Sequence, residues 1–248
     1  MARPYARPSG KRLTLDILPQ PDDSTCGPTC LQAVYRYHGD PLPLPRVIAE
    51  VTPLASGGTL AVFLANHALA RGYGAIIYTY NLTVFDPTWF QRPGLDLRER
   101  LRAQAGVKRS RKLLDATDAY LEFLDRGGEL RHEELTPRLI ESWLERERPI
   151  LTGLSATYLY DCARESGDHV LRPDDAAGSP QGHFVVLCGN DAARGRVLVA
   201  DPLQDNPRFG SHYYWVDTDR VLGAILLGVL TYDANLLILE PPGGAPPA

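Results

Sequence analysis

The sequence has little cysteine and no excess of basic residues. Its 248 residues include four cysteines, and 26 lysines and arginines stand against 30 aspartates and glutamates, which gives a net charge of −4. Four cysteines are too few for a disulfide framework, so we expect a reducing compartment. The lack of a basic excess argues against a general nucleic-acid or anionic-membrane binder.

The sequence also shows no transmembrane segment and no signal peptide. The first residues, 1–13, carry basic side chains without an apolar core, so the sequence shows no signal peptide. The longest apolar run, 221–230, is too short to span a bilayer. We therefore expect a cytoplasmic protein with no membrane partner, no nucleic-acid partner and no cofactor.

Helical patterns come first in the chain and strand patterns cluster late. This order favours an α+β fold over a doubly wound sheet. We expect one domain over 1–248, with a helical insertion at 86–135 and a mobile loop at 161–182, because these segments are charged or polar and long. Strands are predicted over 12–18, 75–80, 150–155, 183–189, 196–202 and 235–240.

The stretch QPDDSTCGPTCLQAVYRYHG, residues 20–39, places Cys26 at the start of a predicted helix that ends at Gly39. A thiol attacks as its thiolate, and a helix N-terminus favours negative charge. Gly27 leaves a bare backbone beside the sulfur, which suits the close approach of a substrate. An inert cysteine packed at the helix entry fits the position equally well.

A second candidate lies in the segment 182–202, which is typical of a β-hairpin. A turn centred near residue 192 places His183 directly opposite Asp201, Val185 opposite Val199 and Leu187 opposite Val197. A carboxylate that accepts a hydrogen bond from one ring nitrogen holds an imidazole so that the other nitrogen can deprotonate a thiol. The alternative is a His–Asp pair that only closes the end of the hairpin. Both faces of the hairpin are apolar, which predicts a place in the middle of the sheet.

Gln20 supplies a third element. Its side-chain N–H and the backbone N–H of Cys26 can hold the oxygen that becomes negative when a thiolate attacks a carbonyl. One such donor lowers the barrier by about 3 kcal/mol. With His183 and Asp201, these groups form a constellation suited to acyl transfer.

The motifs Q-x5-C-G-P-x-C-L, Y-x-G, G-H-F-V-V-L-x-G and V-x-V-x-D-P occur in this order. Together they resemble those of the papain-like cysteine peptidases that process bacteriocins at double-glycine leaders. The resemblance covers 15–80 and 136–205, and the segments 86–135 and 161–182 look like additions to that family. It implies a papain-like α+β fold, with the helix of the nucleophile packed against an antiparallel sheet.

The resemblance also implies a role for each candidate residue, on a peptide or peptide-like substrate. Cys26 is the expected nucleophile, His183 the general base and Asp201 the residue that orients the imidazole. Gln20 is expected in the oxyanion hole. We further assign Gly27 and Gly182 to substrate binding.

Other functions remain open at this point. A thioester at Cys26 can be released by an amine as well as by water, so an acyltransferase fits the same residues, as does a catalytically silent peptide-binding module. The string CGPTC is similar to the thioredoxin motif but one residue too long, and a zinc site through Cys26 and Cys30 lacks the usual spacing. Asp191 is a second candidate for the orienting acid, although it lies at the turn end of the hairpin. The other histidines have no evident partners, and we expect packing or solvent roles for them: His38, His67, His132, His169 and His212.

Overall fold

The computed structural model describes residues 10–54, 57–167 and 171–244. Eight helices surround a central sheet in this part of the chain. The helices are α1 (Cys26–Tyr37), α2 (Leu44–Glu50), α3 (Ala61–Ala70), α4 (Leu97–Val107), α5 (Arg111–Asp125), α6 (Pro137–Glu145), α7 (Ala156–Tyr160) and α8 (Thr218–Leu227). None of these helices has the length and apolar character that a bilayer crossing requires.

The described strands form one large sheet and one small one. In the large sheet the order is β3-β2-β10-β4-β7-β8-β9, with β1 paired to β7, and only β2 and β3 run parallel. Its strands are β1 (Lys11–Arg12), β2 (Gly74–Thr79), β3 (Glu129–Arg131), β4 (Ile150–Ser155), β7 (Gly182–Asp191), β8 (Arg196–Ala200), β9 (Tyr213–Asp217) and β10 (Asn235–Glu240). The expected α+β class is confirmed, and β7 and β8 lie inside the sheet as their two apolar faces predict.

The most deeply buried helix is α1. Its first ten residues, from Cys26 to Tyr35, are all buried. The helix packs on β7, with α2 and α3 against its other sides. Because buried Leu31 and Val34 remove their side chains from water, each contributes about 1.5–3 kcal/mol to the stability of the fold. This packing fixes the first turn of α1 against the sheet.

The predicted strand over 12–18 is wrong in extent. Regular pairing ends at Arg12, although the alternation that suggested a strand is real: Leu13, Leu15 and Ile17 are buried between exposed neighbours. Leu13 donates its backbone N–H to the carbonyl of Cys188 at 2.8 Å. The next residues are tied to side chains instead, because the hydroxyl of Tyr213 bonds both Ile17 N and Leu15 O.

The segment 86–135 holds α4 and α5, and it reaches the sheet through β3, which pairs with β2. The side chains of Leu101 and Phe123 are fully buried in the common core. The segment 161–182 contains the short strands β5 (Glu165–Ser166) and β6 (Arg172–Pro173), which pair with each other.

Candidate active site

The first turn of α1 carries Cys26 at the edge of a cleft. Cys26 follows the cap residue Thr25, whose hydroxyl does not cap the helix and instead donates to the carbonyl of Asp22 at 3.0 Å. The backbone N–H groups of Cys26 and Gly27 have no acceptor among the described residues. Unpaired N–H groups and the helix dipole make this position favourable for negative charge.

His183 joins Cys26 to Asp201. The ring lies near the start of β7, and its Nε2 is 2.9 Å from Oδ1 of Asp201. Because Nε2 is bonded to Asp201, Nδ1 is the ring nitrogen left for Cys26, whose side chain helps to raise the pKa of His183. The Asp201 carboxylate is fully buried and the imidazole nearly so. A thiol, an imidazole and a carboxylate from distant parts of the chain therefore form one connected set.

The predicted hairpin register is wrong by two residues. Leu187 lies opposite Val199, not Val197, and the pairing shifts again at Cys188. That irregularity lies where β1 pairs with β7. The two strands approach closely there, since a Cβ on Gly189 would be only 2.9 Å from the carbonyl oxygen of Lys11. Since the error is an even number of residues, His183 and Asp201 still share one face of the sheet. They meet as diagonal neighbours rather than as a facing pair.

Four donors surround the Asp201 carboxylate. Oδ1 accepts from His183 and from the backbone N–H of Leu203 at 2.9 Å. Oδ2 accepts from the hydroxyls of Tyr160 at 2.8 Å and Tyr214 at 2.6 Å. A carboxylate has about four acceptor positions, so this buried group is satisfied without water. Its orientation toward His183 is thereby fixed.

The charges of the pair stabilise each other. Burial alone lowers the pKa of His183, but the Asp201 carboxylate and the hydrogen bonds to Asp201 and Cys26 raise it to about 10. Burial alone raises the pKa of Asp201, yet the His183 charge and the hydrogen bonds from His183, Tyr214 and Tyr160 bring it below its ordinary value. An imidazolium at this position is therefore strongly favoured.

Gln20 lies six residues before Cys26 and lines a cavity that His183 also lines. Its Nε2 donates to the carbonyl of Asp22 at 2.9 Å, and its backbone N–H donates to Pro202 O at 3.0 Å. These bonds hold the side chain beside the chain segment that leads into α1. The Oε1 atom of Gln20 is buried and has no partner among the described residues.

The two predicted glycines have different surroundings. A Cβ on Gly27 would lie 2.5 Å from Cγ2 of Thr59 and 3.3 Å from Leu64 and Phe184. The position therefore has no room for a larger side chain, and a role of Gly27 in substrate binding stays a prediction. Gly182 is exposed in the cleft, where a Cβ would lie 2.6 Å from the hydroxyl of Thr231.

The cleft has two arms that meet at His183. The first arm, of about 460 Å³, contains Cys26, Thr59, Lys112, Thr231 and Asp233. The second arm, of about 330 Å³, is lined by a different set that includes Gln20, Tyr160, Cys162, Glu165 and Leu203. A larger groove of about 830 Å³ lies over α2, α3 and α5 and contains none of the predicted site residues.

The geometry bears on the rival residues. Asp191 is held by Arg194 at 2.6 Å, at the opposite end of β7 from His183. Cys30 is fully buried, and its thiol donates to the carbonyl of Phe184 at 3.3 Å; burial raises the pKa of this thiol well above its ordinary value. Cys26 and Cys30 are both free thiols. In the described part of the chain, no three histidine, cysteine, aspartate or glutamate side chains form a group that could hold a metal.

Sequence reasoning missed several residues around the pair. Tyr160 and Tyr214 give no signal as ligands of a carboxylate, because they come from α7 and β9 and meet only in the fold. His212, expected to have no partner, bonds the carbonyl of Asp201 through Nδ1 at 2.7 Å. His67 contacts both Tyr35 and Glu50, and His169 lies outside the described residues.

Comparison with known proteins gives structural matches only. No family model and no curated protein matches the sequence. A C39-like peptidase from Bacillus anthracis has 13% identity and a TM-score of 0.47, over 93% of this chain and 98% of that one. A double-glycine-motif protease from an AMS/PCAT transporter, solved with its leader peptide, has 14% identity and a TM-score of 0.44, over 93% and 94%. The peptidase domain of the Streptococcus transporter ComA has 14% identity and a TM-score of 0.41, over 92% and 98%.

These neighbours are of the kind that the sequence motifs resemble. They are peptidases, two of them peptidase domains of transporters. At such identities and TM-scores they establish neither membership of a family nor an activity for this chain.

Proposed function

We propose that this chain is a cysteine peptidase or amidase that acts through Cys26, His183 and Asp201. One observation carries the proposal: a buried imidazole lies 2.9 Å from a fully buried carboxylate and lines the same cavity as a thiol at a helix N-terminus. The three groups have the order that thiol acyl transfer requires. The substrate is a peptide or peptide-like amide, and the cysteine content favours a reducing, cytoplasmic setting.

The reaction follows from the position of each group. Nδ1 of His183 takes the proton of the Cys26 thiol, and the thiolate sulfur adds to the carbonyl carbon of the amide. His183 then returns that proton to the leaving nitrogen as the C–N bond breaks, which releases an amine and leaves a thioester on Cys26. Water, deprotonated by the same imidazole, cleaves the thioester to a carboxylic acid and restores the thiol.

Asp201 holds the imidazole in place throughout this cycle. Its four hydrogen bonds prevent rotation of the carboxylate, and its charge stabilises the imidazolium that forms when Cys26 loses its proton. Tyr160 and Tyr214 act through Asp201 and are positioning residues.

We place Gln20 in the oxyanion hole. Its side-chain nitrogen carries two hydrogens, and the bond to Asp22 uses one of them. The second hydrogen and the unpaired backbone N–H of Cys26 are available to a developing oxyanion. Each such donor lowers the barrier by about 3 kcal/mol when it is aligned with the negative oxygen.

The test is hydrolysis of a proteome-derived peptide mixture by the purified protein, read by mass spectrometry. We expect new peptide termini with the wild-type chain and none with Cys26→Ala or His183→Ala. Equal cleavage by Cys26→Ala and wild type would contradict the proposal. Products that carry an added amine acceptor in place of a free carboxylate would show acyl transfer instead of hydrolysis.

A further inference from the structure

Asp233 lines the same arm of the cleft as Cys26. It lies on the loop between α8 and β10, and the residue is only 7% exposed. Its Oδ1 accepts from the backbone N–H of Ala61 and from Nδ2 of Asn235, both at 3.2 Å. Its Oδ2 has no donor among residues that the structure describes. The Oδ2 oxygen of this largely buried carboxylate therefore has no protein donor and is accessible from the cleft that holds the nucleophile.

The bonds to Oδ1 do not explain why this residue is an aspartate. Ala61 is the first residue of α3, whose own cap residue Leu60 makes no side-chain bond, so Oδ1 caps that helix from a distant loop. The amide oxygen of an asparagine would accept the same two bonds. Only Oδ2 distinguishes the carboxylate from the amide.

Keeping a carboxylate at this position is unfavourable for the fold. Burial raises the pKa of Asp233 to about 7, although the bonds from Ala61 and Asn235 act against that rise. The neighbours Tyr232 and Ala234 both adopt left-handed backbone conformations, with φ of 73° and 51°, which non-glycine residues seldom do. Costs of this kind concentrate where a side chain is held for function.

Lys112 acts on Asp233 only through its charge and does not donate to it. Both line the first arm, but they form no ion pair within 4.0 Å in the described part of the chain. The ammonium of Lys112 instead donates to the carbonyl of Thr231 at 3.1 Å and lies 4.8 Å from the centre of the Tyr232 ring. The free oxygen of Asp233 therefore remains open to a positively charged ligand.

The side of the substrate that meets Asp233 follows from the proposed reaction. The acyl group stays bonded to the sulfur of Cys26 after the amine has left. Cys26 lines the first arm and not the second. We therefore assign the residues that precede the scissile bond to the arm that contains Asp233.

We propose that Asp233 is a specificity-determining residue that binds a lysine or arginine side chain in the acyl part of the substrate. This inference rests on the proposed function, because it names a substrate class for the same cleft. An ammonium or guanidinium group supplies a charged donor to a carboxylate oxygen that has no donor from the protein. Uncharged side chains offer that oxygen no charged donor and are disfavoured.

The experiment compares the rate at which peptidyl acyloxymethyl ketones inactivate the full-length chain, measured as mass added at Cys26. Three pairs of inhibitors carry arginine or the neutral, similarly sized citrulline at the first, second or third residue from the ketone. At one of these positions we expect arginine to react roughly 10-fold faster or more, since hydrogen bonds to charged groups are worth that factor. The preference should vanish in Asp233→Asn, which keeps an oxygen for the bonds from Ala61 and Asn235.

Asp118→Asn is the matched control, because it removes one negative charge from an exposed site on α5, outside both arms of the cleft. We expect it to retain the preference for arginine. Ratios near one at all three positions in the wild-type chain would overturn the inference. So would a preference that survives in Asp233→Asn or is lost in Asp118→Asn, since either result assigns the effect to something other than Asp233.

Failure of the proposed function gives a different pattern. In that case the alkylation rate of Cys26 by iodoacetamide does not depend on His183. The cation site is then measured by calorimetry, with the same arginine and citrulline sequences as non-reactive carboxamides. Tighter binding of the arginine peptide that is lost in Asp233→Asn would support the site, and equal affinities would overturn it.

Discussion

Removal of one hydroxyl from the tyrosines around Asp201 tests how the pair is held. Tyr214→Phe deletes the 2.6 Å bond to Oδ2 and keeps the ring, which stacks on Phe209 at 3.8 Å between centroids. A hydrogen bond to a charged group is worth about 1.5–3 kcal/mol. Because Asp201 is fully buried, water cannot replace the lost donor. We expect the free energy of unfolding at pH 7 to fall by about 1.5–3 kcal/mol.

The assay is urea denaturation at equilibrium, with Tyr158→Phe as the matched control. Tyr158 is 43% exposed, and its hydroxyl has no hydrogen-bond partner in the described part of the chain; we expect a change of less than about 0.5 kcal/mol there. A second readout is NMR titration of His183. Because the Asp201 carboxylate raises the pKa of His183 to about 10, loss of a bond that fixes this carboxylate should shift that pKa.

The result that would refute this reasoning is equal stability of Tyr214→Phe and Tyr158→Phe. An unchanged pKa of His183 in Tyr214→Phe would refute the positioning role while leaving a structural one. The pair of measurements therefore separates a tyrosine that merely packs from one that fixes the charge of the site.

Three further predictions concern pH and packing. Because the pKa of His183 is raised to about 10, the stability that its charge provides is fully present below about pH 6.5 and is lost as pH rises through 10. In a pH series of unfolding free energies, His183→Ala should flatten this alkaline decline. An equal decline in wild type and variant would contradict the prediction. The pKa of Asp233 is raised from 3.8 to about 7, and Lys112 and Tyr120 are the titratable groups that interact with it. Between these pH values the native state holds more protons than the unfolded chain, so stability falls as pH rises. From pH 4 to 8 the wild-type chain should lose up to about 4 kcal/mol of unfolding free energy that Asp233→Asn retains, and parallel curves would count against a buried carboxylate. Gly27→Ala should lower the unfolding free energy by about 1–3 kcal/mol through the clash with Thr59, whereas Gly106→Ala, in open space on α4, should not destabilise the chain in the same denaturation assay.

Much of the architecture could be predicted from local patterns. The helix at Cys26 follows from its i, i+4 apolar row, and the two apolar faces of the hairpin place β7 and β8 inside the sheet. His183 can reach Asp201 only if both side chains lie on the same face of the sheet. Side chains alternate between the two faces, so a register error of two residues leaves both on the predicted face.

The remainder depends on contacts between distant segments. The irregularity at Cys188 arises where β1 meets β7. The only local signal for it in the sequence is Gly189, a glycine inside a predicted strand. Tyr160 and Tyr214 reach Asp201 from separate elements, and Asp233 reaches the cleft from a loop some 200 residues beyond Cys26 in the sequence. No spacing rule connects these residues, so only the folded chain reveals them.

The most direct test of the central claim is the relative alkylation of two cysteines in one molecule. Cys26 is only 8% exposed, whereas Cys162 in the second arm is more accessible, so exposure alone predicts that Cys162 reacts first. If His183 takes the proton of Cys26, iodoacetamide at pH 6.5 should label Cys26 at least ~10-fold faster than Cys162, and His183→Ala should abolish that advantage. Faster labelling of Cys162 in the wild-type chain, or a ratio unchanged by His183→Ala, would contradict the account.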